Sequence, residues 1–306
     1  MIFFAAVGLA LFGGSDEVSE PEEVVQIETV EQVSQETEEV EQGIDPNLAY
    51  NLTSDLTYVD EDANSRQVLD IYTPKDQDGP FPLLIWVHGG AWVTGDKSQV
   101  PLLDFIDEGI AVAAVNYRFA LSSPYPAQVE DVSSAIEWLR ANADEYKLDV
   151  DDFALVGHSA GAQIALVVAL SANSGEYGQG TVDRVLAAAG PYDFTMIREQ
   201  AEALGIDDVD ELVPYTETAV EYLLLGCVEE ECPDRISTLN PATYGDPFDP
   251  KVYILHGIED KVVPSTQSDE IHRTLTNDGV FSQLDIVPRL DHGFSLTEAA
   301  KAFLID

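Results

Sequence analysis

Gly157-His158-Ser159-Ala160-Gly161 is the stretch that decides how this chain folds. Before it runs Phe153-Ala154-Leu155-Val156, apolar and short enough for a buried strand. After it runs Ala162-Gln163-Ile164-Ala165-Leu166-Val167-Val168-Ala169-Leu170, which reads as a helix. The pentapeptide fits G-x-S-x-G, the pattern of a serine at the tip of a sharp strand-to-helix turn. Such a turn strains the serine backbone, and neighbours without a Cβ let strand, turn and helix approach closely. The turn also lifts the hydroxyl above the sheet and points the free N–H groups of a helix start at developing negative charge.

Outward from this turn the same alternation recurs. Val68-Leu69-Asp70-Ile71-Tyr72 alternates as a strand and is ended by Pro74, and residues 82–87 form a buried apolar strand. Residues 102–108 read as a helix, 111–117 as a strand, and 127–143 as an amphipathic helix with Val132, Ile136 and Leu139 on one face. Beyond the turn come strands at 184–189, 251–255 and 283–287, with helices at 160–172, 266–276 and 295–304. Strands that alternate with helices and are continuously apolar predict an α/β fold with a mostly parallel central sheet covered on both faces. The rhythm breaks near 194–246, which reads as a helical insertion of the kind that forms lids or pocket walls.

A serine hydroxyl is a weak nucleophile at neutral pH. It needs a base within hydrogen-bond reach, and that base needs an orienting acid. In a strand–turn–helix site of this type the order is serine, then acid, then histidine. Three histidines follow Ser159. His256 ends a strand directly before Gly257, which suits packing or shaping the turn, and His272 sits mid-helix. His292, in Leu290-Asp291-His292-Gly293-Phe294, lies between the last strand and the last helix, where sites of open α/β sheets form, and is the expected base. The loop after the preceding strand offers Glu259 and Asp260. Asp260 is the expected acid, ahead of Val262-Val263-Pro264, and could alternatively cap the next helix. A tetrahedral intermediate needs fixed N–H donors. The N–H of Ala160 is one, and Gly89 and Gly90, in the loop His88-Gly89-Gly90-Ala91-Trp92 about seventy residues before the turn, supply the others. Trp92 beside that loop and Tyr192 at the end of strand 184–190 are candidate substrate contacts.

Taken together, Leu69-Asp70-Ile71-Tyr72, His88 to Trp92, Gly95-Asp96-Lys97, Val115-Asn116-Tyr117-Arg118, Tyr125-Pro126-Ala127-Gln128 with Asp131, Gly157 to Gly161, Gly257 with Asp260, and Asp291-His292-Gly293-Phe294 resemble the α/β-hydrolase esterases of the hormone-sensitive-lipase-like and feruloyl-esterase-like groups. The resemblance covers roughly residues 50–306. It implies an α/β-hydrolase fold, a Ser159–Asp260–His292 triad, an oxyanion hole from Gly89, Gly90 and Ala160, and action on carboxylic esters, short-chain or carbohydrate-linked. No metal or organic cofactor is called for. Two rivals stay open: amide hydrolysis of the aryl-formamidase or peptidase type, and a catalytically silent binding domain. The insertion near 194–246 does not align to a substrate preference.

The charge is extreme, with a net of −43. Residues 1–65 hold sixteen Asp or Glu and no Lys or Arg, yet the rest of the chain is also strongly acidic. A surface of this sign repels nucleic acid and anionic membranes, so neither is an expected partner. Adaptation to high salt, where self-repulsion is screened, and a plain low-pI secreted protein both fit. Residues 1–14 open with the apolar MIFFAAVGLAL, too short to span a bilayer and similar to a signal core, though without the preceding Lys or Arg or a cysteine to lipidate. Export to the envelope or medium is therefore expected, or a cytoplasmic location if that start is misassigned. Residues 15–46 read as an acidic disordered linker and 47–306 as the catalytic domain. Cys227 and Cys232, the two cysteines, could close a small local disulfide in an exported protein.

Overall fold

The computed structural model describes residues 50–60, 63–206, 224–227 and 233–305. By its contacts the chain divides into Met1–Pro46, which lies outside the described residues, and Asn47–Asp306. The signal-like segment and the acidic linker expected at 1–14 and 15–46 therefore fall outside the description.

Eight strands form one sheet: β1 Tyr50–Thr57, β2 Val68–Pro74, β3 Phe81–Val87, β4 Ala111–Val115, β5 Leu148–His158, β6 Arg184–Ala188, β7 Lys251–Gly257 and β8 Ser282–Val287. Their spatial order is β1-β2-β4-β3-β5-β6-β7-β8. The pairs β1–β2 and β2–β4 are antiparallel, and all the others are parallel. The described helices are α1 Ala127–Ala141, α2 Ala143–Tyr146, α3 Ala160–Ser171, α4 Ile197–Ala203, α5 Pro233–Ser237, α6 Thr266–Asn277 and α7 Glu298–Ile305. This is the expected α/β architecture, with the antiparallel strands confined to one edge.

The sheet divides two apolar layers because strand residues alternate faces even where every residue is apolar. Along β3, Leu83, Ile85 and Val87 enter the layer shared with α1 and α3, while Leu84 and Trp86 enter the opposite layer with Phe303 and Leu304 of α7. All twelve residues of α3 are buried, and apart from Gln163 and Ser171 they carry no polar side chain. Truncating one of its large side chains, such as Leu166→Ala, would cost about 2–5 kcal/mol.

The structure adjusts several expected elements. Residues 102–108 form a 3-10 segment, Leu103–Glu108, stopped by Gly109 in the left-handed region at φ 83°. β5 begins at Leu148, earlier than its apolar run, and β1 is a further strand outside the apolar pattern. Between β6 and β7 the described residues are helical, in α4, α5 and the 3-10 turn Pro241–Tyr244. Among the described residues no helix is long and apolar enough to cross a membrane. Cys227 is disulfide-bonded, and Cys232 lies outside the described residues. In register, Val87, Gly157, Ala187 and Ile254 stand near one end of the sheet. The loops leaving that carboxyl end carry Ser159, Asp260 and His292.

Candidate active site

β5 runs straight into α3 with a single residue between them, and that residue is Ser159. Its backbone sits at φ 55° and ψ −123°, a strained conformation that the surrounding packing holds in place. The Ser159 N–H donates to the Ala188 carbonyl at 2.8 Å, tying the turn to the end of β6. Gly161 explains the motif's last position. A Cβ there would lie 2.2 Å from the Val87 carbonyl oxygen and 2.5 Å from that of His88, so only glycine lets α3 start against β3.

The other two expected residues converge on this serine from loops more than a hundred positions away. His292 Nε2 is 2.9 Å from Ser159 Oγ, and His292 Nδ1 is 2.7 Å from Asp260 Oδ2. Asp260, 4% exposed, holds its other oxygen, Oδ1, on the N–H groups of Val262 at 2.8 Å and Val263 at 2.9 Å. His256 Nε2 reaches Asp260 Oδ2 as well, at 3.1 Å. Burial works against the carboxylate charge, but the hydrogen bonds from His256 and His292 outweigh it and hold Asp260 well below the usual carboxylate range. An anionic acid, an imidazole and a 7% exposed hydroxyl thus stand in line.

The glycine loop after β3 lies against the serine: a Cβ at Gly89 would be 3.1 Å from Ser159 Cβ. Among the described residues, the N–H groups of Gly89, Gly90 and Ala160 donate to no protein acceptor, which leaves them available to an anion beside Ser159. The loop is stiffly held from behind. Arg66 donates to the Gly95 carbonyl at 3.0 Å, to Asp96 Oδ2 at 3.0 Å and to Asn116 Oδ1 at 2.9 Å, and its guanidinium lies 4.1 Å over the Phe119 ring. Arg66 Nη2 is also 3.1 Å from His88 Nε2. Because arginine only donates, His88 accepts there and gives its Nδ1 hydrogen to the Gly89 carbonyl at 2.7 Å. Holding that carbonyl fixes the plane of the Gly89–Gly90 peptide and so the direction of the Gly90 N–H. Burial pushes His88 down to about 4, and its ring stacks on Tyr117, whose hydroxyl donates to the His88 carbonyl at 2.9 Å.

His158, the variable position of the motif, is a second support that sequence reasoning passed over. Its Nε2–H donates to the His292 carbonyl at 3.0 Å and ties the base loop to the turn. Burial, then the neighbouring His292, pushes His158 down to about 4. His256 was expected only to shape the turn, and its bond to Asp260 is new. No local pattern announces these contacts, because most partners are distant in sequence.

Two expected substrate contacts are corrected. Trp92, 3% exposed, gives its indole N–H to Gln163 Oε1 at 3.1 Å and packs in the core near Phe194. The side chain lies in the interior, where the indole N–H needs and finds a partner. Tyr192, 1% exposed, is likewise interior, its backbone N–H taken by Gln267 Oε1 at 2.7 Å. The open space by the base is a cleft of about 900 Å³ walled by Leu204, Ile206, Ile258 and Val262 beside His292, with Glu259 and Asp291 among its polar groups. Among the described residues no group of three or more His, Cys, Asp or Glu is arranged to hold a metal ion.

The chain is similar to known proteins in sequence and in fold. The BD-FAE family profile matches residues 69–275, a span that holds Gly89, Gly90, Ser159 and Asp260 and ends before His292. The probable carboxylic ester hydrolase LipM of Mycobacterium tuberculosis is 30% identical over 252 residues, 76% of this chain and 54% of LipM. The esterase LipQ of the same organism is 29% identical over 261 residues, 83% of this chain and 60% of LipQ. The chain therefore spans little more than half the length of these curated relatives. Among solved structures, a truncated form of a carbohydrate esterase from gut microbiota aligns with a TM-score of 0.71 at 26% identity, over 84% of this chain and 95% of that one. With the elbow at Ser159, the eight-stranded sheet and a family profile that covers most of the folded residues, this chain belongs to the BD-FAE family and has the α/β-hydrolase fold.

Proposed function

We propose that the chain is a serine carboxylic-ester hydrolase that works through an acyl-enzyme on Ser159. The observation that carries this reading is the 2.9 Å approach of His292 Nε2 to Ser159 Oγ, with Asp260 2.7 Å behind the imidazole. His292 takes the serine proton as the oxygen attacks the ester carbonyl, and Asp260 orients the ring and stabilises its charged form. The N–H groups of Gly89, Gly90 and Ala160 receive the oxyanion, a role in which one donor is worth roughly 10²–10³ in turnover. His292 then protonates the departing alcohol, and water, activated by the same imidazole, releases the acid.

Relatives and charge support a reading of the substrate class. LipM and LipQ are named as ester hydrolases, and the gut-microbiota structure is a carbohydrate esterase, which supports ester substrates with carbohydrate-linked esters among them. The acidic balance of the chain, with Glu259 and Asp291 on the cleft, favours neutral esters over anionic ones. A panel of p-nitrophenyl esters from acetate to laurate, methyl ferulate, acetylated xylan and an N-formyl aryl amide tests the reading. Turnover of the short and carbohydrate esters supports it. Turnover of the formyl amide alone replaces it with amide chemistry, and no turnover of any member contradicts hydrolysis.

A further inference from the structure

We infer that His256 is a positioning residue for the reaction, holding Asp260 from the side opposite His292; this rests on the esterase reading above. His256 is 0% exposed near the end of β7 and is not among the residues that line the cleft beside His292. Its Nε2 faces Asp260 Oδ2 at 3.1 Å and the Val263 carbonyl at 3.0 Å. Both neighbours only accept, so the ring hydrogen is on Nε2 and bridges them. That sets the Ser268 hydroxyl, 2.7 Å away, against Nδ1. The result is one unbroken string, Ser159–His292–Asp260–His256–Ser268, with Asp260 Oδ2 shared between two imidazoles.

The string constrains the acid at every point. Oδ1 is fixed by the Val262 and Val263 N–H groups, and Oδ2 is fixed from two sides. Removing His256 leaves Oδ2 with a single donor, frees the carboxylate to rotate about its last bond, and loosens His292 with it. A side chain that served packing alone would be apolar, as Ile254 and Leu255 are on the same strand. A histidine that is fully buried with both nitrogens engaged is retained for its hydrogen bonds.

The test compares His256→Phe, which keeps a planar ring but donates nothing, with His256→Gln, whose amide N–H takes the place of Nε2–H. Two rates are read on the full chain: hydrolysis of p-nitrophenyl acetate, split into kcat and KM, and phosphorylation of Ser159 by p-nitrophenyl diethyl phosphate. The Phe variant is expected to lose about 10–100-fold in kcat and in labelling rate with KM within about twofold, the scale of a small displacement of a catalytic group. The Gln variant is expected to recover most of both. A folded Phe variant with parental rates, or a Gln variant as slow as Phe, overturns the assignment. If the Phe variant does not fold, Ser268→Ala carries the test: a several-fold slower labelling rate supports the string, and an unchanged rate overturns it. A parent chain that is labelled at Ser159 but hydrolyses no ester would sink the esterase reading, while the ratio of labelling rates would still decide the role of His256.

Discussion

Carboxylates gather at both ends of the central sheet, but the two ends use them differently. At the amino ends of β5 to β8, Asp149, Asp151, Asp152 and Asp183 surround a surface cavity of about 800 Å³ together with Arg184 and Lys251. There the acids do structural work: Asp183 accepts the Phe153 N–H at 2.9 Å, and Asp152 pairs with Arg184 at 2.7 Å. At the carboxyl ends one buried acid, Asp260, is met by two backbone N–H groups and two imidazoles. What makes a carboxylate into part of a catalytic site is the set of donors that fixes its charge and direction, not the local density of acids. Each parallel strand delivers the loop that follows it to the carboxyl end, and this asymmetry puts Ser159, the glycine loop, Asp260 and His292 together.

The comparison can be broken at either end. Asp260→Asn is expected to lower kcat by about 10⁴ near neutral pH with the fold intact, because the amide favours the wrong imidazole tautomer; steady-state kinetics and a thermal melt check this together. Gly161→Ala is expected to destabilise the protein by about 3 kcal/mol, since its Cβ would collide with backbone carbonyls that cannot move without parting α3 from β3. Denaturant titration would show it. A smaller effect attaches to pH. His158 sits at about 4 in the folded chain, below its ordinary value of about 6.5, so the unfolded state binds more protons between those limits. Its contribution is present above about 6.5 and is lost as the pH falls toward 4. The stability of His158→Gln relative to the parent should therefore rise as the pH is lowered across that window, and parallel melts would show no such crossing if burial of His158 carried no cost. Smallest of all, Asp151→Asn at the amino end is expected to change stability by less than about 0.5 kcal/mol and activity not at all.

Elements buried on both faces were legible from their sequences. β3 and β4 are unbroken apolar runs and β6 is one after Arg184, the pattern of covered parallel strands. β1 was not legible. It is a mostly exposed edge strand rich in Asn, Thr, Ser and Asp, and its irregular register at Thr53 to Leu56 is held by tertiary contacts, with the Asp55 N–H on Asp70 and its carboxylate on Lys97. The start of β5 was hidden for the same reason, since Asp149, Asp151 and Asp152 mask the strand pattern. In the site, chain order and loop position pointed to Ser159, Asp260, His292 and the glycine loop, which the structure brings side by side. Trp92 and Tyr192 were misplaced because residues next to a reactive loop can point either way, and only packing decides. The supports from Arg66, His158 and His256 follow from three-dimensional pairing: the His158 to His292 bond spans 134 positions, and no sequence window contains it.

The most direct test of the central claim is Ser159→Ala. The account predicts that p-nitrophenyl acetate hydrolysis falls by up to about 10⁶, the loss seen when the nucleophile of such a triad is removed, and that p-nitrophenyl diethyl phosphate, which adds one phosphoryl group to the parent by intact mass, adds none to the variant. A folded Ser159→Ala variant that retains near-parental hydrolysis, or that still takes up the phosphoryl group, would contradict it.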